Sequence, residues 1–154
     1  MNRKAEPQAL VPIIIADIYE LAGRLREYGE AIARTVGQTQ ARWQVMSAAS
    51  ADPLTVPQIA RVLGVTRQNV QRIADLLVAE GSAGYRDNPD HRASPHFVLT
   101  PRGRAALGQL TKAAGGYHAR LARKLPASEI VSLQRSLRRL LDTLADIDPV
   151  TASK

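Results

Sequence analysis

TVPQIARVLGVTRQNVQRIADLLVAEG, residues 55–81, reads as two amphipathic helices with almost nothing between them. Thr55 and Gln58 have the spacing of a capping box, in which the hydroxyl accepts a first-turn N–H and the Gln side chain reaches back to the cap backbone. Val56, Ile59, Ala60 and Leu63 follow at helical spacing as one apolar stripe. Gly64 predicts the stop, because a residue without Cβ enters a left-handed turn freely. Two residues later Thr66 can cap a second helix, whose apolar stripe is Val70, Ile73, Ala74 and Leu77. The pattern is helix, tight glycine turn, helix.

The outward side of the second helix is unusual. Where an exposed helix ordinarily carries Lys and Glu, Arg67, Gln68, Asn69, Gln71 and Arg72 present guanidinium and amide groups. Arg can pair bidentately with guanine, and Gln or Asn with adenine, in the major groove of DNA. Thr66, nearest the helix start, is placed to meet a phosphate. A solvated polar face is the alternative, since any exposed helix needs one.

Beyond Glu80-Gly81, SAGYR (82–86) and HFVLT (96–100) read as two short strands, with Pro95 suited to an edge strand. The connecting DNPDHRASP (87–95) would project as a loop and lay Arg92, with Arg86 near its base, against an adjacent minor groove. An ordinary turn at Asn88-Pro89-Asp90 is the plainer reading of the same residues.

On the N-terminal side, Leu10, Ile14, Ile18, Leu21, Leu25, Tyr28 and Ile32 form the seam of a long helix, opened by Pro12 and closed near Gly37. A shorter helix over 40–50 carries Trp43 and Met46. On the C-terminal side, Thr100-Pro101 restarts a helix that runs to about Lys124, with a break or kink expected at Gly115-Gly116. A last helix from Ser128 shows Ile130, Leu133, Leu137, Leu140, Leu141 and Leu144. Two such seams exceed what a small domain covers, which predicts a second subunit; packing of the two helices on each other within one chain is the alternative.

Composition sets the class. The 154 residues are 45% hydrophobic and 23% charged but only 4% aromatic, so the core must be aliphatic and is best built from helices. Without cysteine there are no disulfides and no thiol redox control. The net charge of +7 favours a polyanionic partner, yet its excess is concentrated in residues 105–141, with seven basic residues and one acidic. No membrane span or secretion signal is expected, and the default location is the cytoplasm. His91, His96 and His118 lack metal-ligand spacing, and no catalytic motif is present, so neither cofactor, metal nor enzymatic activity is expected.

LTVPQIARVLGVTRQNVQRIADLLVAEG, then RDNPDHRAS, then LTPRGRAAL together resemble the winged helix-turn-helix of the MarR family of bacterial transcription regulators over about residues 54–107. The Asp-x-Arg at 90–92 followed by Leu-Thr-x-x-Gly at 99–103 is the most specific part. The resemblance implies a mainly α fold with a small β-hairpin wing, and a homodimer interlocked through its N- and C-terminal helices. Two recognition helices would then read an inverted-repeat operator, with Asp90 orienting the wing and Arg92 entering the minor groove. It also implies a small lipophilic or phenolic effector, for which Tyr28 and Trp43 are the candidate lining residues. The division expected is a dimerisation helix over 1–37, a DNA-binding domain over 38–100 and dimerisation helices over 101–154. Ala83, Gly84 and Tyr85 are smaller and less basic than the family's usual residues, which predicts a weak first wing strand. The function expected is a DNA-binding repressor; the other reading is a winged-helix interaction module that has lost DNA binding.

Overall fold

The computed structural model describes residues 6–89 and 93–147. In chain order the elements are α1 (Pro7–Arg34), α2 (Gln40–Ala51), β1 (Leu54–Thr55), α3 (Val56–Leu63), α4 (Arg67–Ala79), β2 (Ala83–Arg86), β3 (His96–Leu99), α5 (Pro101–Lys124) and α6 (Ala127–Asp146). Residues up to Ala114 form one compact unit and those from Gly115 a second, so that α5 belongs to both.

Both ends of α3 follow the local chemistry. The Thr55 hydroxyl accepts from Gln58 N at 3.4 Å, while Gln58 Oε1 accepts from Thr55 N at 2.8 Å, closing the capping box. Gly64 takes φ +63°, and the Val65 N–H then reaches back to Ala60 O at 3.1 Å, as a left-handed helix end requires. Thr66 caps α4, accepting from Asn69 N at 3.3 Å. The two helices thus follow one another across a tight turn whose caps are both satisfied locally.

The α1 helix begins five residues earlier than the position of Pro12 suggests. Pro7 occupies the first turn, where a missing N–H is harmless, and Pro12 lies within the helix. The glycine pair at 115–116 does not interrupt α5, which runs continuously to Lys124.

The wing is part of a three-stranded antiparallel sheet in the order β1-β3-β2. The extra strand, β1, is two residues long and pairs Leu54 with Phe97 and Thr55 with His96. It joins the wing directly to the start of α3. Because β3 is central, it needs N–H donors toward both neighbours; Pro95 stands just outside it, not on an edge strand. The first wing strand is fully formed, with Ala83–Arg86 pairing along the whole of His96–Leu99. Ala83 is buried, and just before the strand Gly103 of α5 passes so close that a Cβ there would lie 1.9 Å from Ser82 O.

The core of the first unit lies between α2, α3, α4 and the sheet. Phe97, Met46, Ile59, Leu77 and Val70 are almost fully buried, and Leu110 of α5 joins them. Each contributes about 1.5–3 kcal/mol relative to exposure, enough together to fix α4 rigidly on the body of the unit. Of the described residues of α6, none is buried within the chain.

Candidate nucleic-acid interface

The α4 helix divides cleanly. Val70, Ile73, Ala74 and Leu77 are buried, whereas Arg67, Gln68, Asn69 and Arg72 are exposed. These four side chains project from the first turn and a half, beside the cap made by Thr66, itself exposed. The surface so formed offers donors and acceptors from long side chains on a rigid support, the requirement for reaching base edges.

Gln71 is placed differently from its neighbours. It is half-buried, and its Nε2 donates to Asp75 Oδ1 at 2.8 Å and to Tyr85 Oη at 2.9 Å. Tyr85 lies opposite Phe97 in the sheet register, and its ring meets that of Phe97 edge-on at a centroid distance of 6.0 Å. The recognition helix and the wing are therefore linked by a side-chain bridge as well as by the core. Val56, Pro57, Arg67, Gln71, Tyr85 and the loop residues Ala93–Pro95 line a cleft of about 170 Å³ at this junction.

Arg86 is exposed at the end of β2, opposite His96. At the base of the loop the buried Asn88 donates from Nδ2 to Ser94 O at 3.0 Å, holding the two sides together. Asp90 and Arg92 lie outside the described residues. Thr100 anchors the other side of the wing, its hydroxyl donating to Gly81 O at 2.7 Å and accepting from Gly103 N at 3.2 Å.

Four contributors were not evident from the sequence. Tyr85 and Asp75 are the partners of Gln71, and neither carries a motif. Arg42 of α2 forms an ion pair with Glu80 just after α4, tying the end of the recognition helix to α2. Gly103 permits the close passage of α5; as the glycine of Leu-Thr-x-x-Gly it had a signal, though not a stated reason. Tyr28 is exposed on α1, and Trp43 is half-buried on α2 against the core.

The MarR family's sequence model matches residues 36–94, which span α2 through the wing loop. That stretch belongs to the MarR family of transcription regulators. MarR proteins regulate transcription and are not enzymes. An uncharacterized protein of Mycobacterium tuberculosis, Rv2011c, is 50% identical over 131 residues, covering 85% of this chain and 92% of that protein. Among solved structures, a mutant MarR from E. coli complexed with operator DNA is 24% identical with a TM-score of 0.69, covering 86% of this chain and 95% of that one. CouR from Rhodococcus jostii RHA1 bound to p-coumaroyl-CoA is 17% identical with a TM-score of 0.72, covering 86% and 94%. The winged helix-turn-helix described above is the MarR fold. Among the described residues, no helix is long and apolar enough to cross a membrane.

Proposed function

We propose that this chain is a homodimeric, sequence-specific repressor that binds an inverted-repeat operator in double-stranded DNA. The observation that carries this reading is the outer face of α4, where Arg67, Gln68, Asn69 and Arg72 stand exposed on a helix buried along its other side. Arg86 is exposed at the base of the wing, and Asp90 and Arg92 follow in its loop as orienting and minor-groove residues. The operator-bound MarR of the same fold supports a duplex as the partner.

The dimer rests on apolar surface. Leu10, Ile14, Leu21 and Leu25 of α1 are 41–46% exposed, and Leu133, Leu141 and Leu144 of α6 are 50–58% exposed. Seams of this length on a single chain are the mark of a subunit interface. On this reading residues 1–37 and 101–154 hold the dimer, while 38–100 read DNA in the cytoplasm. A dimer also supplies the second recognition helix that half-sites about 34 Å apart demand.

A small lipophilic or phenolic ligand would relieve repression by favouring a dimer geometry whose two recognition helices no longer match the groove repeat. CouR, of the same fold, binds an aromatic acyl-CoA, and Tyr28 and Trp43 are the aromatic residues offered for such a ligand here.

Titration of a palindrome from the protein's own upstream region tests the proposal. Affinity falls about a thousandfold between 50 and 200 mM salt if some six phosphates are neutralised. Arg72→Ala reduces discrimination between operator and a point-mutated operator by about 1–3 kcal/mol, the value of one bidentate base contact. Salt-insensitive binding, with discrimination unchanged by Arg72→Ala, would contradict it and favour an interaction module.

A further inference from the structure

The amide of Gln71 is already engaged inside the protein. A primary amide nitrogen carries two hydrogens. One of those on Nε2 goes to Asp75 Oδ1 at 2.8 Å, a turn further along α4, and the other to Tyr85 Oη at 2.9 Å, across on β2. Only Oε1 is left for anything approaching the outer face. The arrangement is well supported: Tyr85 is braced edge-on against the fully buried Phe97, and Asp75, an acceptor in its ionised form, selects the amide nitrogen over the oxygen.

The consequence lies in the groove. A glutamine with a free amide can pair bidentately with adenine, accepting from N6 and donating to N7. With both donors engaged, Gln71 can only accept. Adenine N6 and cytosine N4 each offer it a hydrogen, whereas guanine and thymine turn acceptors toward it. We infer that Tyr85, with Asp75, is a specificity-determining positioning residue that holds Gln71 as an acceptor-only reader of amino-bearing bases, adenine or cytosine alike. This rests on the DNA-binding reading above and deepens it.

Selection of duplexes from a randomised library by the full chain and by Tyr85→Phe tests the inference. The Phe variant keeps the ring against Phe97 and removes only the hydroxyl. The wild type should show one half-site position at which adenine and cytosine are both accepted and guanine and thymine are rejected. In Tyr85→Phe that position should shift toward adenine by about tenfold, within the value of one bidentate contact, with the melting temperature and salt slope unchanged. Asp75→Ala, at an exposed position, frees the other donor and should move the same position the same way. Adding Gln71→Ala to either variant should abolish the shift. A purely structural role for Tyr85 would weaken binding to all sequences equally; that outcome, or identical base preferences in all variants, overturns the inference and leaves DNA recognition standing. A wild type that enriches no sequence overturns both.

Discussion

Gly103 illustrates how a residue without a side chain can position a functional surface. Ser82 O occupies the space a Cβ would need, at 1.9 Å, and that oxygen is backbone and cannot step aside. Gly103→Ala should therefore destabilise the first unit by about 1–3 kcal/mol, seen as a lower denaturant midpoint with an unchanged slope. An unchanged midpoint would mean that α5 and the Ser82 backbone can separate at little cost. Glu30 makes a different kind of contribution. The Gln40 backbone N–H at 2.8 Å, and next the Arg34 guanidinium, hold its carboxyl below the usual carboxylate range. A group with a lowered folded pKa stabilises fully above its unfolded value, here about 4.5, and that stabilisation is lost as pH falls through the folded value. Glu30→Gln should accordingly lower the melting temperature at neutral pH, and the gap to wild type should close as the solution is acidified below about pH 4. A gap independent of pH would assign the effect to packing of the α1–α2 junction.

The turn between α3 and α4 fixes how the recognition helix is presented. Gly64 holds φ at +63°, a conformation that costs an alanine about 1–2 kcal/mol. Gly64→Ala should lower stability by that amount and weaken operator binding further than stability alone accounts for, which chemical denaturation and duplex titration measured together would show. Equal losses in both would reduce the turn to a structural part. These elements were legible because their determinants are local: the Thr55–Gln58 box, Gly64 and the Thr66 cap each act within four residues. Other features depend on distant chain. Leu54-Thr55 is too short to show a strand period and becomes β1 only because β3 lies beside it. Pro12 looked like a helix start, yet Pro7 at the first turn takes that role and the longer helix tolerates the second proline. The small size of Ala83 and Gly84 points to a weak strand only in the absence of β3, which pairs with both; Ala83 is also buried. At the interface, the exposed face of α4 followed from helical periodicity, whereas the Gln71–Tyr85 bond joins residues fourteen apart across two element types and leaves no trace in the pattern.

At the scale of the whole molecule, the exposed aliphatic seams and most of the positive excess belong to elements other than the reading helix. The aliphatic residues of α1 and α6 remain exposed on one chain, and residues 105–141 carry most of the positive excess. If those seams join two copies, Ile14→Glu combined with Leu21→Glu should convert the dimer to a folded monomer in sedimentation, with helical content retained. Operator affinity should fall by about a hundredfold or more as the second half-site is lost. A variant that remains dimeric would place the interface elsewhere. Selecting bound duplexes from a random library, and determining the stoichiometry of the selected complex, shows whether a pair of recognition helices is matched to the pitch of duplex DNA. An inverted repeat with half-site centres about 10 base pairs apart, or a multiple of that spacing, bound by two chains per duplex, is the expected result; enrichment of no sequence, or of a lone half-site held by one chain, would rule such a pair out.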